Sequence, residues 1–257
     1  MRNNTLKKGW WTMLNEQTKS KLYAMKLNGM ATAYEEQCQQ PRMAELSFDE
    51  RLGLLVDRQW TWREDRSLKT RLQFAKFKLS ACVEDLDFHT ARGLKRSQLE
   101  QLTGSQWVGY HQSVIVTGPT GTGKTFLACA LGQKACRDGH RVRYYVASKL
   151  FRQLAAAHAD GSFMRLSGQL QKTELLIIDD WGMEKLQEDQ YRDFLEVLDD
   201  RQGCGATMIT SQFPLKLWHD TIGNPTVADA ILDRLLHNAH RIELKGESMR
   251  SRRTQAE

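Results

Sequence analysis

The most constraining feature of this sequence is the stretch GPTGTGKT at residues 118–125, which directly follows the apolar run SVIVT. It fits the pattern GxxxxGK[ST] of a phosphate-binding loop, which requires a strand before it and a helix after it. Gly118, Gly121 and Gly123 allow the backbone to curl so that successive N–H groups point at phosphate oxygens. The helix that follows adds the positive end of its dipole. The stretch therefore predicts a nucleotide site.

The side chains of this loop have separate predicted roles. Lys124 is expected to reach the β- and γ-phosphates, and Thr125 to offer its hydroxyl to Mg²⁺. The predicted nucleotide-binding residues are Gly118, Pro119, Thr120, Gly121, Thr122, Gly123, Lys124, Thr125 and Phe126.

A second motif, LLIIDDWG at residues 175–182, leads four aliphatic residues into two adjacent carboxylates. Asp179 would lie at the carboxyl end of a buried strand, where ligands bind in open α/β sheets, and would hold Mg²⁺ through its water shell. Asp180 would orient or deprotonate the attacking water, which a hydrolase needs and a small-molecule kinase does not. The alternative is that Asp180 only caps the following turn.

Two later features favour hydrolysis. The run ATMITSQ predicts a strand that ends in the polar side chains Thr210, Ser211 and Gln212. These would emerge beside the γ-phosphate, where a hydrogen-bonding sensor, with Thr210 and Ser211 as the candidates, could hold the lytic water. An ordinary strand-end turn is the alternative. The segment NPTVADAILDRLLHNAH predicts a helix that begins near Asn224 and carries a single cation, Arg234. Arg234 is a candidate arginine finger for a neighbouring subunit, or else an ordinary surface residue.

Hydrophobic periodicity divides the chain near residues 102–106. The earlier part is rich in helix formers, with apolar residues at three- and four-residue spacing. The later part alternates strands with helical patterns, which predicts a parallel sheet covered on both faces. The predicted strands are residues 114–117, 142–147, 175–179, 206–211 and 241–244.

Positive charge is concentrated in the first part of the chain. The net charge is +6, and residues 1–105 hold 18 basic and 13 acidic residues. This distribution predicts a polyanionic partner, although a solvated helical surface would show the same excess.

A run of five cations without an acid is the strongest candidate for that contact. On a helix, Leu68, Leu72, Ala75 and Leu79 would form an apolar stripe with cations on both sides, suited to gripping DNA phosphates. The predicted DNA-binding residues are Arg66, Lys69, Arg71, Lys76 and Lys78. Trp60 and Trp62 precede them. They could stack against DNA, but core packing is the favoured interpretation.

Cysteine usage and hydropathy bear on location. The five cysteines form no CxxC pair, and no apolar run approaches the ~18 residues of a membrane span. The N-terminal residues also lack an apolar signal core. We therefore expect reduced thiols and a cytoplasmic protein.

The order of phosphate-binding loop, acidic strand, polar strand end and helix arginine resembles that of the AAA+ ATPases. Within them the chain resembles the IstB-like transposition helpers, relatives of the DnaC helicase loaders. The similar stretches include KLNGMATAYEEQ, LSFDERLGLLVDRQWTWRED, LQFAKFKLSACVEDLDF, RGLKRSQLEQL, GPTGTGKTFLACALGQKACRDGHRV, LLIIDDWGME and TSQFPLKLWHDTIGNPTVADAILDRLLHNAHRIELKGESMR. They cover nearly everything from residue 22 to residue 250.

The resemblance implies an α/β architecture in two parts. A P-loop AAA+ core with a five-stranded parallel sheet flanked by helices would occupy residues 105–257. A small, basic, all-helical domain for DNA binding and assembly would occupy residues 1–104. Only thirteen residues follow Leu244, so we expect no C-terminal helical lid.

The resemblance also implies an activity. Such a protein binds ATP with Mg²⁺, assembles as a homo-oligomer with ATP sites at subunit interfaces, binds double-stranded DNA with weak sequence selectivity, and stimulates an IstA-like transposase. In this family pattern, Lys124 and Thr125 match Walker A, Asp179 and Asp180 match Walker B, and Arg250 lies near the position of a second sensor. The alternatives are a DnaC-like helicase loader, which would bind a helicase, and a small-molecule kinase.

Overall fold

The computed structural model describes residues 15–88 and 92–249. Contacts within the chain divide it into two compact units, Met1–Thr70 and Arg71–Glu257.

The first unit is helical in its described part, as the sequence predicts. Its helices are α1 (residues 15–24), α2 (Asn28–Gln39) and the larger part of α3 (Phe48–Ala75), and Pro41–Glu45 forms a 3₁₀ turn between α2 and α3. Helices α2 and α3 pack closely at Gly29, where a Cβ atom would lie 2.6 Å from the Cβ of Trp62. The Gln59 side chain also accepts a hydrogen bond of 3.0 Å from the backbone N–H of Met30. These contacts hold the helices as a small bundle.

The second unit contains a five-stranded, fully parallel sheet, which confirms the predicted architecture. The strands are β1 (Ser113–Thr117), β2 (Val142–Val146), β3 (Leu175–Trp181), β4 (Ala206–Ser211) and β5 (Ala239–Glu243), in the order β2-β3-β4-β1-β5. The four aliphatic residues of β3 have no exposed surface. They form a continuous apolar run because helices cover both faces of the sheet.

Helices surround this sheet. They are α4 (Arg96–Thr103), α5 (Gln106–Gly109), α6 (Lys124–Arg137), α7 (Ala147–Ala159), α8 (Phe163–Gln171), α9 (Glu188–Arg201), α10 (Trp218–Ile222) and α11 (Pro225–Leu236), with 3₁₀ turns at Val83–Asp85 and Leu215–Leu217. Residues of α7 to α11 form one core with Leu176, Ile178 and Ile209. Helix α6 lies on the other face, where Gly132 approaches Ile177. None of the helices in the described ranges is long and apolar enough to cross a membrane.

An irregularity in β3 positions the two aspartates. Ile178 pairs with Ile209, and Trp181 pairs with Ser211, so β3 contains one residue more than β4 over this stretch. Such a bulge re-aims side chains at the edge of a sheet. The extra residue lies at Asp179 and Asp180, and Asp180 adopts a φ of 58°.

The division between the units differs from the predicted boundary at residues 104 and 105, because it falls inside α3. The residues that follow the division pack on α6 and β2. Arg143 donates a hydrogen bond of 2.5 Å to the Phe74 carbonyl, and Arg137 forms two bonds of 2.9 and 3.0 Å with Glu84. Residues 71–104 therefore belong with the sheet. The predicted absence of a lid partly concerns residues 250–257, which lie outside the described residues.

Candidate functional site

The loop between β1 and α6 has the conformation that its glycines predict. Gly118, Gly121 and Gly123 have φ values of 146°, 81° and 92°. A Cβ at Gly118 would lie 2.2 Å from the Leu244 carbonyl oxygen, and one at Gly121 would lie 2.1 Å from the Ser248 hydroxyl. A side chain is therefore excluded at Gly118 and at Gly121. Helix α6 starts at Lys124 without a side-chain cap, so its first N–H groups are suited to an anionic ligand.

Lys124 lies inside this loop. Its side chain is buried, and its ammonium group donates hydrogen bonds of 2.7 and 2.8 Å to the carbonyls of Gly118 and Pro119. The cation is thus held at the place where the loop would bind phosphate, as the motif predicts.

Asp179 is fully buried, and three hydroxyl groups donate to its carboxylate. Thr125 donates over 2.9 Å and Tyr144 over 2.5 Å to Oδ2, and Thr210 donates to Oδ1. Burial, together with the negative charge of Asp179, raises the pKa of Tyr144. Tyr144 therefore remains a protonated donor. Asp179 and Thr125 are close enough to hold one metal ion together, and this role stays a prediction.

Asp180 differs from Asp179 in its exposure and in its backbone conformation. Its side chain is 29% exposed, and its backbone lies in the left-handed region, which Asp tolerates better than most residues. Its N–H donates a 3.1 Å bond to the Thr210 hydroxyl, and Oδ2 lies 3.5 Å from the Lys78 ammonium. Among the described residues, the Asp180 side chain pairs with Lys78 and not with the following turn. This geometry favours the functional interpretation over the turn cap.

A cavity of about 250 Å³ joins these groups. Its lining includes Thr125, Asp180 and Gln212, together with Leu79, Asp85, Asp87, Arg92 and Met249 from outside the motifs. Arg92 is buried, and it donates to the carbonyls of Thr122 and Asp87 over 3.1 and 2.9 Å. Burial lowers the pKa of Arg92. The lining residues from outside the motifs were not predicted, because no sequence motif contains them.

Thr210 and Ser211, the candidate sensor residues, do not line the cavity. Both are fully buried. Thr210 binds Asp179 and the backbone of Asp180, while Ser211 donates to the Trp181 carbonyl over 2.8 Å. Their hydroxyls therefore position β3, and the strand-end side chain that lines the cavity is Gln212.

Arg234 is bound within its own chain, and its role as a finger for a neighbouring subunit stays a prediction. Helix α11 begins as predicted, since the Asn224 side chain accepts a bond from the N–H of Val227. Arg234 lies near the other end, pairs with Asp199 of α9 and donates to the Ala230 carbonyl over 2.8 Å. A finger role would require it to leave Asp199. Arg250 lies outside the described residues.

The five predicted DNA-binding cations do not share one helix, which corrects that prediction. Helix α3 ends at Ala75, and Lys76 follows with a φ of 56°. Arg71 donates to the Cys136 carbonyl over 2.8 Å, and Lys78 lies beside Asp180. Arg66 and Lys69 are exposed on α3, so these two match the prediction best.

The two tryptophans differ in exposure. Trp60 is 68% exposed, so core packing is wrong for this residue. Trp62 is partly buried beside Gly29, and the Arg66 guanidinium lies 5.1 Å from its ring centroid.

A phosphate-binding loop that faces a buried aspartate at the end of a parallel strand defines a P-loop ATPase. The chain belongs to the IstB-like ATP binding protein family, whose model matches residues 20–256. This finding confirms the family resemblance.

Two relatives carry names that describe ATP-binding proteins of insertion sequences. The protein y4pL of Sinorhizobium fredii is 50% identical over 238 residues, which are 93% of this chain and 97% of the relative. A protein of the insertion sequence IS1162 of Pseudomonas fluorescens is 47% identical over 203 residues, 79% of this chain and 88% of the relative.

Solved structures confirm the AAA+ fold. DnaI superposes with a TM-score of 0.54 at 20% identity, covering 64% of this chain and 90% of DnaI. AMPPCP-bound DnaA from Aquifex aeolicus gives a TM-score of 0.55 at 17% identity, covering 68% of this chain and 55% of DnaA. Similarity at this level concerns the fold alone.

We expect Thr210→Val to slow ATP hydrolysis by ~10–100-fold, the usual effect of removing a group that supports a metal ligand. Valine keeps the shape but removes the bonds to Asp179 and Asp180. The half-saturating Mg²⁺ concentration should rise, because Asp179 loses a donor. Thr210→Ser, which keeps the hydroxyl, is the matched control. Steady-state rates over a Mg²⁺ titration measure both effects, and an unchanged rate and Mg²⁺ dependence in Thr210→Val would contradict the positioning role.

Proposed function

We propose that this protein is an ATP-dependent DNA-binding transposition helper, which assembles on target DNA and stimulates the transposase of its insertion sequence. The observation that carries the ATPase part is the contact set around Asp179, which joins Thr125 of the loop to β3, the strand that contains Asp179 and Asp180. Family membership and the names of the relatives support the transposition part. They favour it over a helicase loader or a small-molecule kinase.

In this proposal, the loop N–H groups and Lys124 bind the phosphates of ATP. Thr125 and Asp179 are the residues that would hold Mg²⁺. No group of three or more His, Cys, Asp or Glu residues within the described ranges could hold a metal ion by itself. One carboxylate and one hydroxyl nevertheless suit Mg²⁺, since this ion keeps several waters and binds substrate phosphates. When bound, Mg²⁺ would neutralise charge that develops on the phosphate oxygens.

Asp180 would act on the attacking water. Its carboxylate borders the cavity beside Thr125, and its partial exposure leaves it accessible to a water molecule. Proton acceptance by a positioned carboxylate is an ordinary form of general base catalysis. Thr210 would fix the backbone of Asp180 through the N–H bond, so that the carboxylate stays at the cavity.

DNA contact would involve α3 of the first unit. Arg66 and Lys69 are exposed cations, and the exposed Trp60 offers a ring that could stack on a base or sugar. Phosphate contacts of this type give weakly sequence-selective binding of double-stranded DNA. The proposed partner is an IstA-like transposase, and the proposed assembly is a homo-oligomer with ATP at its interfaces. We expect the protein to act in the cytoplasm, where ATP and target DNA meet.

Asp180→Asn should keep ATP binding and slow hydrolysis by ~10²-fold or more, because the amide cannot accept the proton of water. Lys124→Ala is the contrasting variant. It should lose ATP binding, since the phosphate charge is no longer matched. Calorimetric titration with ATP and phosphate release measure the two steps separately. Normal hydrolysis by Asp180→Asn would place the base elsewhere, and undiminished ATP binding by Lys124→Ala would contradict the site assignment.

Arg66→Gln combined with Lys69→Gln should weaken duplex DNA binding at low salt. The slope of log affinity against log salt should flatten by about one to two, because DNA binding releases fewer counterions when phosphate contacts are removed. Lys172→Gln, an exposed lysine of the second unit, is the control and should leave the slope unchanged. Fluorescence anisotropy over a salt series measures the slope. The same slope in the double variant and the unmodified chain would move the DNA surface away from α3.

A further inference from the structure

Lys78 is a cation near the carboxylates of Asp179 and Asp180 that no nucleotide motif includes. Its ammonium lies 3.5 Å from Oδ2 of Asp180 and 4.0 Å from Oδ2 of Asp179. The Lys78 side chain is 45% exposed, whereas Asp179 is fully buried and Asp180 is 29% exposed. A cation is thus brought from a distant part of the sequence to the carboxylate that the proposed mechanism uses as a base.

The residues on both sides of Lys78 are anchored to the nucleotide-binding unit. The Phe77 ring packs against Tyr144, with ring centroids 6.4 Å apart, and a Cβ at Gly132 would lie 2.6 Å from the same Phe77 ring. The Leu79 carbonyl accepts a 3.3 Å bond from Gln133, and Leu79 lines the cavity. Residues 76–79 are called the 76–79 segment. The contacts of Phe77 and Leu79 hold the Lys78 backbone beside Asp180.

The 76–79 segment also connects directly to α3. Helix α3 ends at Ala75, and Lys76 takes a left-handed backbone conformation at that point. A left-handed non-glycine residue is strained by ~1–2 kcal/mol. Lys78 lies only three residues after the end of α3. A movement of α3 would therefore be transmitted to Lys78 through Lys76, whose strained backbone has conformations of lower energy available.

The Lys78 ammonium lies at Oδ2, one of the two carboxylate oxygens through which Asp180 can accept a proton from water. Asp180 already lines the cavity, and the ion pair would restrict how its carboxylate turns toward a bound water. Opening of the pair would leave both oxygens free to face that water.

We propose that Lys78 is a positioning residue that restrains Asp180, and that hydrolysis requires their ion pair to open. The proposal rests on Asp180 as the base of the proposed function. Release would come from α3, which carries Arg66 and Lys69, so that DNA contact and ATP hydrolysis are coupled through the 76–79 segment.

Lys78→Met removes the restraint and should raise the basal kcat for ATP without DNA. The KM should stay unchanged, because Lys78 is not part of the phosphate-binding loop. Partly exposed ion pairs are weak, so the expected rise is modest, about two- to five-fold. Lys78→Arg keeps a cation and should reverse most of the rise. Lys172→Met, which removes an exposed lysine outside the site, controls for loss of a positive charge.

A lower or unchanged kcat in Lys78→Met would overturn the restraint. Asp180→Asn is measured in parallel to separate the two possible failures. If Asp180→Asn hydrolyses ATP normally, the proposed function of Asp180 fails. If Asp180→Asn is slow and Lys78→Met is not faster than the unmodified chain, only the restraint fails.

The ion pair can also be tested without nucleotide, by the rate at which the Lys78 amine is chemically labelled. Mass spectrometry then reports each lysine separately. Labelling of Lys78 should be faster in Asp180→Asn than in the unmodified chain, while labelling of Lys172 should be the same in both. Saturating duplex DNA should also accelerate labelling of Lys78 in the unmodified chain. Equal Lys78 labelling in the two chains would overturn the ion pair, and equal labelling with and without DNA would overturn the coupling to α3.

Discussion

The hydrogen bonds to the buried carboxylate of Asp179 are the contacts on which the site depends. A buried charge is unfavourable unless polar partners surround it, and here the partners come from three different elements. Thr125 belongs to α6, Tyr144 to β2 and Thr210 to β4. Because β2 and β4 are the neighbours of β3 in the sheet, the strand order brings two of the three donors to this carboxylate. The phosphate-binding loop is tied to the same point through Thr125.

The β-bulge explains how two adjacent aspartates acquire different environments. A regular strand would direct consecutive side chains to opposite faces. Here the extra residue and the left-handed backbone of Asp180 turn its carboxylate to the cavity edge, while Asp179 stays inside. Thr210 stabilises this arrangement by binding both residues. Strained backbone at such a position is characteristic of functional sites, and it agrees with a division of labour between metal binding and proton transfer.

Local patterns in the sequence were sufficient to predict the loop, the five strands within a few residues, the parallel sheet and the position of Asp179 near the carboxyl end of a buried strand. These features depend on glycine positions, apolar runs and their order along the chain. Contacts between distant segments were not predictable in this way. The bond between Tyr144 and Asp179, the pair of Arg234 with Asp199, and the approach of Lys78 to Asp180 each depend on packing. The end of α3 was missed because the apolar stripe continues to Leu79, although the helix ends at Ala75 and Lys76 takes a left-handed backbone conformation. The division between the units, after Thr70, also lies earlier in the chain than the change in hydrophobic periodicity near residues 102–106 indicated.

The central claim is that Asp179 serves the metal ion and Asp180 serves the water. A structure of the full chain with Mg²⁺ and a non-hydrolysable ATP analogue tests this claim most directly. The account predicts Mg²⁺ about 2.1 Å from the Thr125 hydroxyl oxygen, Asp179 in contact with its bound waters, and Asp180 within ~2.6–3.2 Å of a water in line with the γ-phosphate. Direct coordination of Mg²⁺ by Asp180, with Asp179 turned away from the metal, would contradict it.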